Sequence, residues 1–477
     1  MRKSLAKTRF VIKTSSALSV RRILLGLFLA LGSACCVDAQ TNIFSNVYQI
    51  ELVPHYTLPQ CVDLALRQNA DVLIAKKRLE AAAGAIIEAR AGFLPSLTTY
   101  ANYEELQSDY AKLARASPNR RDEIWNVNVR LTETIFAGGA VRGRMDIARL
   151  QKASRMLDYR AVIDQVILDV REAFYNILRN QSDRGVHEQA VDFLQQQVKN
   201  ERNRLEVGTG RKLNVLRAEV NLALEQAELV DARNRLRNSY LRLSELLAIP
   251  YSIDQDHVPF EVTGELRYEK TTLELSDCLT RALIHRPELT VRENEINVQK
   301  KQLVVDRSEV LPHVDLFAGY DVVSEPDRSQ PVDYYHGYVA GAQVSWHLFD
   351  GLATLGHLAA TRARIDAAET SYDAIHRSIE AEVLRVYRDL QKAEENIQTQ
   401  TANVQLATES LKLATASFAL DLTSQLELLQ SQLDLTRAQT AELSARFEYN
   451  TALARLQRAM GSEFQITDER MQGPGRK

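Results

Sequence analysis

Residues 58–72, LPQCVDLALRQNADV, return as residues 275–289, LSDCLTRALIHRPEL, at a constant offset of 217. Leu58, Cys61, Ala65 and Leu66 meet Leu275, Cys278, Ala282 and Leu283. The correspondence runs unbroken to Leu94-Pro95 against Leu311-Pro312 and to Tyr103 against Tyr320. It resumes at an offset of 213, where Phe136-Ala137-Gly138-Gly139 meets Phe349-Asp350-Gly351-Leu352, Phe174 meets Tyr387, and Asn214-Val215-Leu216 meets Glu427-Leu428-Leu429. The change of four falls between Tyr103 and Trp125, where one copy has a longer loop. An offset held over such a span means that both halves share one architecture.

Each half opens on a helical segment, about 58–91 and 275–308, with Pro95 and Pro312 beyond its end, because proline cannot continue a helix. Alternation follows. Trp125, Val127, Val129 and Leu131 interleave with Asn126, Asn128, Arg130 and Thr132, so a strand at 124–134 has one apolar and one polar face. Its partner, 96–105, places Leu97, Thr99, Ala101 and Tyr103 together. The second half repeats the pattern at 313–323 (Val314, Leu316, Ala318, Tyr320, Val322) and 336–347 (Tyr338, Ala340, Ala342, Val344, Trp346). Two readings fit: a membrane barrel, apolar outside and polar toward water, or two hairpins on a soluble core. The connections 106–123 and 324–333 are polar and unequal, as exposed loops are.

No proline occurs from 119 to 249 or from 332 to 473. In these stretches the apolar residues follow a narrow helical seam, Ile163, Val166, Val170, Phe174 and Ile177 in the first half. In the second it reads Leu422, Leu426, Leu429, Leu433, Thr436, Thr440, Leu443 and Phe447. Val207-Gly208-Thr209-Gly210 turns the chain back, since glycine readily takes the left-handed conformation that ends a helix. A helix from about 138 to 206 is ~100 Å long, too long for a compact domain. It suits either a coiled-coil rod or the wall of a hollow cylinder.

The N-terminus has the form of an export signal over 1–39. A basic region ends at Arg21-Arg22, an uncharged apolar run spans 23–37, and Val37-Asp38-Ala39 supplies small residues before Gln40. Lipid attachment at Cys35 is the other processing scheme, although the leucine wanted at −3 stands at −4, as Leu31. Removing 1–39 takes away seven Lys/Arg and one Asp, so the charge becomes −3 − 7 + 1 = −9. That sign argues against a nucleic-acid partner. No later stretch is apolar enough for a transmembrane helix, so any membrane crossing must use a barrel. Cys61 and Cys278 occupy matching repeat positions, read as small buried sites rather than a disulfide framework. The nine histidines form no recognisable motif; no enzymatic activity, cofactor or metal is expected. Four strands cannot close a barrel in lipid, so identical copies must pool theirs.

The order helix, Leu-Pro, strand, loop, strand, Phe-x-Gly-Gly, long helix, glycine-containing turn and return helix, done twice after a leader, resembles the TolC-like outer membrane factor family over about 55–462. The resemblance implies a mainly α chain with a membrane β-barrel: a homotrimer of twelve strands continuous with a twelve-helix tunnel. The implied domains are the leader 1–39, an N-terminal segment 40–57, a first repeat 58–250 with its hairpin at 138–248, and a linker 251–272. A second repeat 273–462, with its hairpin at 351–461, and a tail 463–477 follow. It implies a place in the Gram-negative outer membrane, reaching into the periplasm. There the duct meets a periplasmic adaptor and an inner-membrane transporter, for efflux or type I secretion. The alternative is an extended coiled-coil structural or adhesive secreted protein.

By motif position, the resemblance puts a periplasmic aperture at the second tip. Glu427 falls where the family often has its first acidic residue, and Gln430 departs from the second. Phe418 stands at a common aromatic gating position, and Thr423 where a basic residue can occur. Asp421 replaces the turn glycine present as Gly208 in the first copy. The adaptor-contacting tips are Val207, Gly208, Thr209, Gly210, Leu420 and Leu422.

Overall fold

The structure, a computed structural model, describes residues 54–105, 123–250, 260–324 and 334–461. Residues 1–39, read above as an export signal and containing Cys35, nearly all of both strand-connecting loops and the tail 463–477 lie outside them. In chain order the elements are β1 (His55–Tyr56), α1 (Leu58–Gln68), α2 (Ala70–Ala91), β2 (Ser96–Glu105), β3 (Glu123–Ala137), α3 (Ala140–Glu206) and α4 (Lys212–Leu247). After β4 (Glu261–Val262) come α5 (Leu275–His285), α6 (Pro287–Ser308), β5 (His313–Ser324), β6 (Tyr334–Ser345), α7 (Ala353–Ala419) and α8 (Gln425–Ala459).

Both opening helices are broken, where the sequence reading had each continuous. Asn69 leaves the helical conformation at ψ 132°, and its Oδ1 accepts from the backbone N–H groups of Asp71 and Val72, which start α2. Its Nδ2 donates to the Leu246 carbonyl at 3.1 Å, anchoring the break on α4. Arg286 takes the same place before Pro287, whose ring disfavours a helical residue ahead of it.

Two 67-residue helices, α3 and α7, organise the rest. Each runs ~100 Å. α3 packs against α2 and α4 on one side and α6 and α8 on the other, while α7 packs against α6 and α8. The result is a helical layer in which α6 and α8 lie between the long helices. Two equivalent cores hold it. Cys61, Ala65, Val166, Val170, Ile177 and Leu243 fill the first; Cys278, Ala282, Ile379, Val383, Leu390 and Leu456 fill the second, at the repeat offsets. Both cysteines are free and fully buried, and burial pushes the Cys61 thiol up to about 12.

The α3 seam of Ile163, Val166, Val170, Phe174 and Ile177 is buried throughout. The α8 seam differs from its sequence reading. Leu429 and Thr436 of that seam are buried, but Leu422, Leu426 and Leu433 are exposed, and the buried line runs on through Gln425, Leu428, Gln432, Ala445, Tyr449, Ala452 and Leu456. α8 is wedged between α3 and α7, so its neighbours select which of its leucines are buried.

The long strands form one antiparallel sheet in the order β2-β3-β5-β6, with the two repeats joined at β3–β5. This sheet is open within the single chain, with β2 and β6 as its edges. Two strands differ in extent from the sequence reading of 124–134 and 336–347. β3 runs on to Ala137 through an irregularity between Thr134 and Phe136, and β6 stops at Ser345. Trp346 instead turns its indole N–H to the Val310 carbonyl at 3.1 Å.

Pairing sorts the faces. Leu97, Leu131, Ala318 and Ala340 form one row, and Thr99, Val129, Tyr320 and Tyr338 the next. The opposite face carries Tyr100, Asn128, Asp321 and Gly337, then Thr98, Arg130, Gly319 and Val339. On central β3 the polar alternates Asn126, Asn128, Arg130 and Thr132 are half-buried while Val127, Val129 and Leu131 are exposed. That is the pattern of a sheet curled around its polar face.

Candidate functional site at the hairpin tips

The joints between sheet and long helices set where the tips lie. Gly138 and Gly139 take φ of 58° and 91° ahead of α3, and Gly351 and Leu352 take 70° and 74° ahead of α7. A Cβ on Gly138 would stand 2.9 Å from Ser308 atoms, so glycine is required there.

At the first tip the Arg204 carbonyl accepts from the N–H groups of Thr209 (2.9 Å) and Gly210 (2.8 Å). Gly208 has φ 79°, and a Cβ on Gly210 would come within 2.8 Å of the Leu205 nitrogen. The second tip is built alike. The Ser417 carbonyl accepts from Leu420 (3.2 Å) and Leu422 (2.9 Å), and Asp421 sits in the left-handed region at φ 56°. An L-residue there costs roughly 1–2 kcal/mol, least for a short polar side chain.

The structure brings the two tips together through a residue that the sequence reading did not single out. Arg204, at the end of α3, places a guanidinium nitrogen 2.9 Å from an Asp421 carboxylate oxygen, with its carbon 4.9 Å from the Phe418 ring centroid. Thr423 has no charge, and the cation comes instead from the other repeat. Gln425 adds a second tie, donating from Nε2 to the Asn214 carbonyl at 3.0 Å. Val207, Leu420 and Leu422 are exposed around the clasp.

Glu427 occupies the third position of α8. Its backbone N–H donates to Ser424 Oγ at 3.3 Å and its carboxylate accepts from the Ser424 N–H at 3.4 Å, a reciprocal cap. The side chain is exposed. Gln430 donates to Asp434 Oδ1 at 2.9 Å. Glu427, Gln430 and Asp434 thus share one exposed stripe, with spacings of three and four. Asp434 is a second carboxylate that the motif alignment missed; only the pairing with Gln430 reveals it.

Farther from the tip, His187 Nδ1 lies 2.6 Å from Glu225 on α4, and its Nε2 lies 3.7 Å from Asp183. The hydrogen bond to Glu225 raises the imidazole above its ordinary value, against burial and with help from both carboxylates' charge. Arg235 reaches Asp183 at 3.0 Å. The group ties α3 to α4. Among the described residues no set of three or more His, Cys, Asp or Glu is arranged to hold a metal, and no helix is long and apolar enough to cross a membrane.

The chain is 24% identical over 207 residues to the probable outer membrane lipoprotein SilC of Salmonella typhimurium, a match covering 43% of each. To the outer membrane protein TolC of Vibrio cholerae it is 21% identical over 299 residues, 62% of this chain and 65% of that one. These matches span less than two thirds of either relative. In three dimensions it superposes on the Campylobacter jejuni CmeC outer membrane channel with a TM-score of 0.73 at 15% identity, covering 87% of this chain and 88% of CmeC. The family model described as outer membrane efflux protein matches residues 61–248 and 278–462, one block per repeat. With both repeats matched, the chain belongs to the outer membrane efflux protein family.

Proposed function

We propose that this chain is one of three identical subunits of an exit duct that crosses the outer membrane as a barrel of pooled strands and continues through the periplasm as a helical tunnel. The observation that carries the reading is the four-stranded sheet: apolar on its exposed face, polar on its inner face, open at both edges and joined to ~100 Å helices. Aromatic residues mark both ends of the strands. Tyr103, Trp125 and Tyr334 stand at one end and Phe136 and Trp346 at the other. From Trp125 to Phe136 a strand rises roughly 36 Å, which a tilt near 40° reduces to about 28 Å, the height of a bilayer core.

The open edges are unlike one another. β2 with α2 and α4 ends one side of the chain, and β6 with α7 ends the other. Each helical edge carries an unpaired apolar seam: Leu213, Leu216, Val220 and Val230 on α4, and Leu406 and Leu413 on α7 with Leu420 just past its end. Unlike edges meet head to tail, and such contacts close into a ring. Twelve strands from three copies satisfy every edge.

In this reading the tips form the periplasmic aperture and the adaptor contact, and the adaptor links the duct to an inner-membrane transporter. Three Glu427 and three Asp434 side chains make two acidic rings that attract cations. The Arg204–Asp421–Phe418 clasp holds each pair of hairpin tips together. Cargo passes passively, as in efflux or type I secretion. The test is single-channel recording of the purified protein in a planar bilayer, with its oligomeric mass in detergent. Discrete cation-selective steps from a trimer support the duct; a water-soluble, non-conducting protein overturns it.

A further inference from the structure

The polar face of the sheet has a fixed cation at mid-height. Arg130 lies five residues from Trp125 and six from Phe136, near the centre of the span between the aromatic ends. Its guanidinium carbon sits 4.0 Å from the centroid of the Phe317 ring. That distance is a close cation–π contact, and it restrains a long side chain that would otherwise sweep many rotamers.

Two glycines make the arrangement possible. Gly319 lies directly across from Arg130. A Cβ there would come 2.8 Å from the Val129 carbonyl oxygen, so the position opposite the arginine stays bare. Gly341 pairs with Phe317 on the other side, and a Cβ on it would stand 3.0 Å from the ring. The ring therefore settles toward β6 and offers a face to the guanidinium. The stack runs Gly341, Phe317, Arg130 across three strands.

Among the described residues no carboxylate lies within ion-pair range of Arg130. The acids on the same face, Asp321, Asp315 and Glu104, stand at other levels. Asp321 pairs with Asn128, one step toward the Trp125 end, and Asp315 lies two steps the other way, accepting from Thr134 Oγ1 at 2.7 Å. The guanidinium's five donors are held in place with no acidic partner of their own.

We propose that Arg130 is a specificity-determining residue of the duct: three copies, each seated on its Phe317, form a cationic layer at mid-barrel that binds carboxylate or phosphate groups of passing cargo. The inference rests on the duct reading and on the polar face lining its lumen. It adds a selectivity element at the membrane end, independent of the acidic stripe at the tips. A planar fork matches such oxyanions bidentately. Because Asp321 and Asp315 lie above and below, an anion is favoured at this one level and is not trapped along the length.

The experiment is block of single channels by ATP added to the barrel-side compartment, with the K+/Cl− permeability ratio measured alongside. The unsubstituted trimer is expected to show voltage-dependent block from that side. Arg130→Gln should raise the half-blocking concentration at least about tenfold, the loss expected for charge-assisted hydrogen bonds, and shift permeability toward K+. Arg130→Lys keeps the charge but loses the fork and its seat, and should hold the K+/Cl− ratio while giving up part of the block. Phe317→Leu keeps the arginine and releases it, giving a loss of about two- to fivefold as the restraint is removed. Conducting Arg130→Gln channels with unchanged block and unchanged permeability overturn this inference alone. Absence of any conductance from the unsubstituted protein overturns the duct, and this inference with it.

Discussion

The two repeats solve the same structural problems with different chemistry. At the break between the opening helices the first repeat uses Asn69, a neutral amide that caps α2 and donates to the Leu246 carbonyl. The second uses Arg286, almost fully buried, with two hydrogen bonds to Glu288, a third to Glu382 and Arg458 close by. At the tip the first repeat turns on Gly208, which has no steric cost at φ 79°, and the second on Asp421 at φ 56°. Before the long helix Gly139 faces Leu352, both left-handed. At the tips, therefore, the first repeat turns by backbone ease and the second by a residue tied through its side chain, while at the helix breaks a neutral amide stands against an ionic cluster. A turn held by a side-chain tie can be released; one held by glycine has nothing to release.

The largest expected effect separates the two helix breaks. Arg286→Ala removes three charge-assisted hydrogen bonds but leaves Glu288 and Glu382 partly exposed and facing Arg458, and should cost about 2–3 kcal/mol. Asn69→Ala, the equivalent change, should cost about 1–2 kcal/mol. Chemical denaturation of the detergent-solubilised protein measures both, and equal losses would erase the distinction. Acid sharpens it. Burial works against ionisation of Glu288, but the hydrogen bonds and charge of Arg286 hold its carboxyl below the ordinary value. A depressed carboxylate contributes stability that is present above its unfolded value and lost as pH falls through the folded one. Below about pH 4.5 the ionic lock weakens, and the Asn69 cap does not titrate. Stability recorded from pH 7 to 3 should fall more steeply for the unsubstituted protein than for Arg286→Ala.

The tips come next. Gly208→Asp should cost about 1 kcal/mol for the left-handed residue, with no partner in return. Asp421→Gly removes that strain and an exposed ion pair worth at most about 1 kcal/mol, so stability should change by less than roughly 0.5 kcal/mol. The same change frees Arg204, and conductance should rise. An unaltered conductance would mean that the clasp does not hold the tip. The smallest effect on stability belongs to Glu427→Gln, because glutamine also completes the reciprocal cap. Its signature is weaker block by multivalent cations from the tip side, and unchanged block removes Glu427 from the constriction.

Local pattern made parts of this architecture readable. The alternation from Trp125 to Leu131 marks a two-faced strand, because side chains on a strand point to opposite sides whatever surrounds them. Nothing around Asn69 forbids a helix, so the first break leaves no local mark, whereas Pro287 signals the second. The break at Asn69 is stabilised by Leu246, 177 residues away. At the second tip, Asp421 follows from its place in the repeat and Phe418 from the family resemblance, but their partner Arg204 lies 217 residues from Asp421. Asp434 escaped notice because its relation to Glu427 is one of helical face, not of motif position.

The amino-acid sequence by itself determined the duplicated order of elements, the two-faced strands and the length of the helices, since each follows from periodicity, proline and glycine acting over a few residues. Tertiary structure alone decided which face of α8 is buried, how the two tips are tied, and that Arg130 rests on Phe317. A helix with apolar residues on two faces has no intrinsic inside until α3 and α7 take their places beside it. A side chain on one strand acquires a partner on another only through the register of the sheet.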